Sequence, residues 1–147
     1  MIRKHVMTIC LVVFSFSAGV AVNRRAVADA EAQGVNRVYE LRTYTTAEGR
    51  LPALLARFGG GEIDLFHRAG MTSVGYWVPD DPELSQNTMV YMLVHDSREA
   101  AADSWSRFRD DPDWATMRAQ SEADGPILVR GGVQSMFLNP TDFSPAK

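Results

Sequence analysis

The segment Arg37-Val-Tyr-Glu-Leu-Arg-Thr-Tyr-Thr45 is rich in β-branched and aromatic residues, and its side chains alternate in character. Alternation with a period of two is typical of a β-strand, so the segment predicts the first strand of the domain. Two different sets of side chains occupy the two faces, Tyr39, Leu41 and Thr43 on one and Glu40, Arg42 and Tyr44 on the other. We therefore expect a dry face and a mixed face, with chemistry or a partner at the mixed face.

A helix is predicted after this strand, starting near Ala47 with Thr46 as its N-cap. Apolar side chains recur there at helical spacing, namely Leu51, Leu54, Leu55 and Phe58. The run Gly59-Gly-Gly61 interrupts this pattern, and each glycine costs roughly 1 kcal/mol relative to alanine in a helix interior. We expect a kink at these glycines and a second helical piece that ends at Gly70.

The remaining segments continue the alternation of strands and helices. They predict a second strand over residues 72–79, a third over 87–95, a helix capped by Ser97, a short helix from Trp114 to about Ala123, and a last strand from Val129 to Leu138. Strands two and three should form a hairpin, and Pro112 should break the helical region. This order of elements is that of an α+β ferredoxin-like βαββαβ sandwich, in which helices cover one face of the sheet. The third strand is apolar on both faces, so it should be covered on both.

Residues 1–30 have the pattern of a targeting segment. Basic side chains at positions 3 to 5 precede an apolar run over residues 6–22, and the small-residue triplet Ala28-Asp-Ala30 follows. The run contains polar residues and falls short of the roughly 20 apolar residues that span a bilayer, which favours a cleaved signal peptide and an exported, periplasmic or secreted protein. A retained membrane anchor stays open as the alternative, because the pair Arg24-Arg25 lies on the side that would be translocated.

Beyond this leader we expect a linker over residues 31–36, a folded domain over 37–139 and a tail over 140–147. The whole chain has a formal net charge of −3, and the part after the leader is more acidic, because the leader is basic. An acidic surface repels phosphate backbones, so nucleic-acid binding is disfavoured, and membrane contact is expected only if the leader is retained. The single cysteine, Cys10, lies in the leader. Packing or subunit association must therefore stabilise the domain without disulfides.

Three ordered motifs resemble those of a known family. The opening signature of NIPSNAP domains is similar to Tyr39-Glu-Leu-Arg-Thr-Tyr-Thr45. The helix end and second strand of those domains resemble Leu65-Phe-His-Arg-Ala-Gly-Met71 and Gly75-Tyr-Trp77. Their Asp-Pro-x-Trp segment resembles Asp111-Pro-Asp-Trp114. The resemblance covers residues 37–139. It implies the dimeric α/β-barrel superfamily, in which two ferredoxin-like subunits place their sheets face to face, so a homodimer is expected. That superfamily includes cofactor-independent monooxygenases, but such membership indicates fold far better than function.

The run Gly59-Gly-Gly61 departs from the family, whose members often have a polar or charged stretch there, commonly with a histidine. If that histidine serves a reaction in relatives, this chain lacks it. The glycines do not form a phosphate cradle either, because they follow a helix rather than a strand and no basic residue completes them. We interpret them as a kink that makes room for a ligand or a neighbouring chain.

Two histidines remain after the leader, His67 near the end of the first helical region and His95 beside Asp96 at the end of the third strand. Asp96 is able to orient the His95 imidazole for proton transfer, although a solvated turn is the commoner arrangement, and His67 is favoured near a helix end for structural reasons alone. Two histidines without suitably spaced carboxylates predict no metal site. No cofactor motif is present, and Lys147 is the only lysine after the leader, which argues against Schiff-base chemistry.

Aromatic residues are the stronger signal for a site, although core packing is their commoner role. Buried tyrosine and tryptophan need hydrogen-bond partners, and a pocket with aromatic walls and polar groups at its edge is typical of a ligand site. The candidate pocket residues are Tyr39, Arg42, His67, Tyr76, Trp77, Tyr91, His95, Trp105 and Trp114.

Three functions are compatible with this sequence. The first is a homodimeric module that binds a small apolar or aromatic molecule between sheet and helices and needs no cofactor. The second is a cofactor-independent monooxygenase or isomerase that acts on an aromatic substrate. The third is a docking module for another protein. The residues alone identify neither the ligand nor a reaction.

Overall fold

A sheet of antiparallel strands forms the frame of the protein, for which the computed structural model describes residues 37–146. The strands are β1 (Val38–Thr46), β2 (Thr72–Trp77), β3 (Thr88–His95) and β4 (Leu128–Leu138). They lie in the order β2-β3-β1-β4, and every neighbouring pair is antiparallel. The predicted leader and linker lie outside the described residues.

Helices connect β1 to β2 and β3 to β4, whereas a turn that contains a short 3-10 helix, Leu84–Gln86, connects β2 to β3. Within residues 37–146 the longer helices number four. They are α1 (Leu51–Arg57), α2 (Ile63–Arg68), α3 (Arg98–Asp110) and α4 (Pro112–Ser121), and a kinked turn, Phe58–Glu62, joins the first two. The order of strands and helices confirms the predicted α+β ferredoxin-like βαββαβ sandwich. In the part of the chain that the structure describes, no helix has the length and apolar character needed to cross a membrane.

The helices cover the mixed face of β1. Trp105 on α3 reaches Glu40, and the guanidinium of Arg42 lies over the ring of the same tryptophan. The ring of Tyr44 packs with its centroid 5.1 Å from that of Tyr91 on β3. Because side chains alternate along a strand, the other set on β1 points away from the helices. The polar side chains of β1 therefore lie in the interior, where each polar atom needs a partner.

Aromatic rings form the centre of the core between the sheet and the helices. Phe58 packs edge to face on Tyr44, Phe66 and Tyr91, with centroid distances of 6.1, 5.7 and 5.3 Å. Phe66 also lies 4.9 Å from Phe108 of α3. Such pairs contribute about 0.5–1.5 kcal/mol each beyond the burial of their area. Phe58 thus joins the kinked helix to two strands of the sheet.

Helix α1 begins at Leu51, later than the predicted start near Ala47. Thr46 does not cap it, because Thr46 is the last residue of β1 and its N–H donates to the Asn87 carbonyl at 2.8 Å. Residues 47–50 form a turn instead. Pro52 then lies in the first turn of α1, where the missing N–H of proline costs no helical hydrogen bond.

The predicted kink at Gly59 to Gly61 is confirmed. Gly61 has a φ angle of 129°, a conformation that residues with a side chain rarely adopt, so the helix is interrupted at this residue. Gly70 has a φ angle of 91° and follows the end of α2, as expected of a glycine that terminates a helix.

Side-chain caps fix the starts of α3 and α4. The Ser97 hydroxyl accepts a hydrogen bond from the Ala100 N–H at 3.1 Å, as predicted. Asp111 accepts a hydrogen bond from the Asp113 N–H at 2.9 Å, and Pro112 occupies the first helical position. Helix α4 therefore begins slightly before the predicted start at Trp114.

A bulge in β4 shapes the space between the sheet and the helices. Val133 pairs with Tyr44 and Leu128 pairs with Thr46, so residues 129–132 bulge out of the ladder opposite Thr45. A Cβ atom on Gly132 would overlap the Thr45 carbonyl oxygen. Glycine is needed there because the two backbones approach so closely.

The face of the sheet opposite to the helices is called the open face here. Its side chains are Tyr39, Leu41 and Thr43 of β1, Thr72 and Trp77 of β2, Val90, Met92 and Val94 of β3, and Gln134, Met136 and Leu138 of β4. Trp77 and Met136 are 49% and 59% exposed. Within residues 37–146, β3 is thus covered by helices on one face only, whereas the sequence predicts cover on both.

Gly61→Ala should lower the free energy of unfolding by about 1–3 kcal/mol, because alanine is strained at this φ angle. Its Cβ would also lie 3.2 Å from the terminal methyl of Met117. Gly60→Ala is the matched control: in the described part of the chain nothing lies within 4 Å of its added Cβ, so it should be neutral or stabilise by up to about 1 kcal/mol. Urea unfolding measures both, and equal effects would contradict this account of the kink.

Candidate binding site between sheet and helices

The buried carboxylate of Glu40 accepts hydrogen bonds from several elements. Its Oε1 accepts from Arg42 Nη1 and from the Ser135 hydroxyl, both at 2.6 Å. Its Oε2 accepts from Trp105 Nε1 at 2.7 Å and lies 3.0 Å from His95 Nε2, which must carry a proton because a carboxylate only accepts. The donors belong to β1, β4, α3 and β3. One side chain therefore ties three strands to a helix.

The environment of Glu40 favours its charged form. Burial on its own would raise the pKa of this carboxyl, but the hydrogen bonds and the charge of Arg42 outweigh burial and lower the pKa to about 2. Glu40 is therefore ionised throughout the physiological range. A carboxylate that already accepts this many hydrogen bonds has little left to offer a ligand, so its role is structural.

Arg42 links this carboxylate to two tyrosines. Its Cζ lies 4.1 Å from the centroid of the Trp105 ring, which is a cation–π distance, and its Nη2 lies 3.4 Å from the Tyr44 hydroxyl. The Tyr91 O–H donates to the same hydroxyl at 2.8 Å. Burial disfavours the charge of Arg42, but Tyr91, Tyr44 and Glu40 raise its pKa above the ordinary value. A permanent cation is thus held behind the Tyr44 hydroxyl.

A second buried carboxylate, Glu62, comes at the end of the kinked turn. Its Oε2 accepts a hydrogen bond from Arg57 Nε at 2.8 Å, and both side chains are almost fully buried. Burial raises the pKa of Glu62 to about 7, although the charge of Arg57 opposes that rise. A carboxyl with a pKa near neutrality gains and loses a proton readily at physiological pH, unlike Glu40.

A cavity of about 420 Å³ lies beside this ion pair. The aromatic and apolar part of its wall includes Tyr44, Phe108, Trp114, Val129 and Val133. The buried charges come from Arg57 and Glu62, and the more exposed side chains of Arg118 and Glu122 also line the cavity. The rings of Phe108 and Trp114 pack 4.5 Å apart, and the Arg57 guanidinium lies 5.0 Å from the Trp114 ring centroid. The volume is within the roughly 300–1,000 Å³ of pockets that hold small molecules.

The structure brings together some of the residues that the sequence selects as pocket candidates. Those around Glu40, the Tyr44–Tyr91 pair or the cavity are Arg42, Tyr76, Tyr91, His95, Trp105 and Trp114. Tyr39 and Trp77 lie instead on the open face. His67 is exposed, with its Nε2 3.1 Å from the Ser73 hydroxyl, outside this cluster.

The partner of His95 is not the one that the sequence suggests. Asp96 follows it in the chain, but the His95 ring is buried and lies against the carboxylate of Glu40. His95 is therefore neither a solvated turn residue nor half of a His–Asp pair.

Sequence reasoning did not select Arg57 or Glu62. Arg57 comes three residues after Leu54 and shares its inward-facing helical stripe, so a charged residue at a core-facing position was the available signal. No comparable signal marks Glu62, because its meeting with Arg57 depends on the backbone conformation of the kink.

The NIPSNAP family model matches residues 39–145, a range that includes both buried carboxylates and the residues that line the cavity. The chain belongs to the NIPSNAP family. This confirms the resemblance carried by the three motifs. No protein of curated function matches this NIPSNAP domain. Among residues 37–146 no group of three or more His, Cys, Asp or Glu side chains is arranged to hold a metal ion.

Solved NIPSNAP structures share the fold of this domain. A NIPSNAP-like domain protein of Burkholderia xenovorans is 22% identical over 76% of this chain and 90% of its own, with a TM-score of 0.64. A NIPSNAP family protein of unknown function from Agrobacterium tumefaciens is 23% identical over 77% of this chain and 96% of its own, with a TM-score of 0.65. Another NIPSNAP family protein from the same organism is 21% identical over 76% of this chain and 100% of its own, also with a TM-score of 0.65. Identities this low show the fold alone.

Glu40→Gln should lower the free energy of unfolding at pH 7 by about 3–5 kcal/mol, because it leaves the buried Arg42 cation unpaired. The pKa of Glu40 is about 2 when folded, against an ordinary 4.5. Its carboxylate thus contributes stability that is complete above pH 4.5 and is lost as the pH falls towards 2. The difference in free energy of unfolding between wild type and variant, measured by urea unfolding, should therefore decrease as the pH falls across that range. The exposed Glu48→Gln is the control, and a gap independent of pH would contradict the role of Glu40.

The Glu62 carboxyl should titrate with a midpoint near pH 7, because burial penalises its charge. Carbon-13 NMR of the labelled side chain measures this midpoint. Of the two cations that oppose the rise, Arg57 has the larger effect, so Arg57→Met should move the midpoint up by about 1–3 pH units. Arg68→Met is the matched control, because the Arg68 guanidinium bonds Asp111 and Asp113 and does not line the cavity. A midpoint below pH 5 in the wild type would refute this account.

Proposed function

We propose that this NIPSNAP domain is exported and, as a homodimer, binds a small apolar or aromatic molecule in the cavity beside Glu62. The observation that carries the proposal is the buried Arg57–Glu62 pair on the wall of a cavity whose other lining residues are aromatic and apolar, apart from the more exposed Arg118 and Glu122. Small-molecule sites combine mainly apolar walls with a few polar groups that fix the orientation of the ligand.

The energetics of the ion pair support a binding role. Burying two charges costs several kcal/mol per ion, and well-packed apolar residues in their place are often as stabilising or more so. An ion pair is thus an expensive way to fill a core. Beside a cavity, however, Arg57 and Glu62 supply a donor and an acceptor that a ligand is able to use.

The composition of the open face supports a homodimer. Its side chains are mainly apolar, and covering them removes their area from water at roughly 25 cal/mol per Å². A second copy presents the same surface, as a two-fold interface requires. The sheets would then face each other and leave the helices, and the cavity beneath them, on the outside of the pair.

The pattern of the leader supports export. Residues 1–30 combine basic side chains, a short apolar run and a small-residue triplet, in the order typical of a signal peptide. Sequencing of the N-terminus of the protein recovered outside the cytoplasm tests this part, and a start at Glu31 is the expected result.

Native mass spectrometry of the exported protein should show a dimer that carries a small molecule. Trp114→Ala removes a cavity wall, so this variant should lose the ligand and stay dimeric. Met136→Asp places a charge on the open face, so it should yield monomers at micromolar concentration.

The control for the interface is Phe143→Asp, because Phe143 is 89% exposed in the tail and lies outside the open face. A monomeric wild type would contradict the homodimer. A wild type that carries no molecule and takes up none from a panel of phenols, quinols and aromatic ketones would contradict ligand binding.

A further inference from the structure

The Glu62 carboxylate has one oxygen that a ligand is able to reach. Its Oε2 accepts a hydrogen bond from Arg57, whereas Oε1 makes no hydrogen bond to any of residues 37–146. Because Glu62 lines the cavity, a molecule bound there has access to Oε1. The cavity therefore contains a buried base whose orientation is fixed by an arginine.

Tyr44 also lines this cavity, and its hydroxyl has a proton to donate. It accepts a hydrogen bond from the Tyr91 O–H at 2.8 Å and lies 3.4 Å from Arg42 Nη2. Its own proton finds no acceptor among residues 37–146, so that proton is available to a ligand. The Arg42 cation behind this hydroxyl also favours negative charge on whatever oxygen accepts the proton.

We propose that the cavity takes an enolisable aromatic ketone, with Glu62 as the general base that removes a proton beside the carbonyl and Tyr44 as the donor to the carbonyl oxygen. This inference rests on the proposed function, because it concerns the same cavity. It adds a substrate class and a reaction. A base and an oxyanion donor on one cavity are the two groups that proton transfer beside a carbonyl requires.

The reaction is internally balanced. The Glu62 carboxylate takes the proton from the carbon next to the carbonyl, the electron pair of that C–H bond forms a C=C bond, and the π pair of the carbonyl moves to oxygen. The Tyr44 O–H donates a hydrogen bond to the resulting enolate oxygen. The protonated Glu62 then returns the proton to the same carbon or to a conjugated one. No electrons are gained or lost overall, so the step is an exchange or an isomerisation.

The surroundings of Glu62 suit a base of this kind. The titratable or charged side chains that act on it come from several elements, namely Arg57 of α1, Arg42 of β1, Tyr76 of β2, Tyr91 of β3 and Glu122 after α4. Burial outweighs the two cations and holds the pKa of Glu62 at about 7. A general base works best with a pKa near the working pH.

Hydrogen–deuterium exchange of β-tetralone tests the inference. This aromatic ketone exchanges the protons beside its carbonyl through the enolate, and proton NMR in deuterium oxide follows their loss. Saturation-transfer difference signals in the same samples report its binding. The wild-type protein should accelerate the exchange, and the rate should rise around pH 7 as Glu62 ionises.

Glu62→Gln should reduce this acceleration at least about 100-fold, and Tyr44→Phe should reduce it about 100- to 1,000-fold. Both variants should still bind β-tetralone. Asp64→Asn is the matched control, because it removes an exposed carboxylate close to Glu62 in the chain, and it should leave the rate unchanged. Tyr44→Phe keeps its ring in the core, so it provides an answer if circular dichroism shows that Glu62→Gln does not fold.

The failure of this inference is distinguishable from that of the proposed function. If β-tetralone binds but its exchange is not accelerated, or if both variants exchange it at the wild-type rate, the roles of Glu62 and Tyr44 are overturned and the cavity still binds ligands. If β-tetralone does not bind to the wild type, the aromatic ketone class is overturned. The native mass spectrum then tests the proposed function separately.

Discussion

The arrangement of this domain depends on the carboxylate of Glu40. A buried carboxylate is tolerated only when nearly all of its lone pairs are used, and the donors come from three strands and one helix. Each donor is correctly placed only if the others are, so the register of the sheet and the position of α3 are set together. The polar side chains of β1 therefore specify the interior as firmly as its aromatic rings do.

The two buried glutamates, Glu40 and Glu62, have the same side chain but very different pKa values, and the cause is their surroundings. Glu40 is surrounded by donors and stays charged, whereas Glu62 accepts a hydrogen bond from Arg57 alone and lines a cavity, and its pKa is near neutrality. Glu40 holds neighbouring elements in place, and Glu62 gains and loses a proton near neutral pH. A divergence of this kind in pKa is the pattern of enzymes in which two carboxylates have different roles.

Much of the fold was predictable because its signals are local. The alternation in residues 37–45, the Ser97 cap and the interruption at Gly61 each depend on a few neighbouring residues. The start of α1 was missed because Thr46 pairs with Asn87, which is distant in the chain. The site was harder for the same reason. His95 and Glu40 are 55 residues apart, and Arg57 and Glu62 meet only because the helix is kinked between them.

The order of the strands leaves β2 and β4 at the two edges of the sheet, each paired on one side only within residues 37–146. Straight edge strands recruit further strands and lead to aggregation. Neither edge here is straight, because the register shifts at Ser73–Gly75 in β2 and residues 129–132 bulge from β4. The irregular segment of β4, which also contributes Val129 to the cavity wall, thus blunts an edge, so a mutation that straightened β4 would carry a risk of insoluble fibrils.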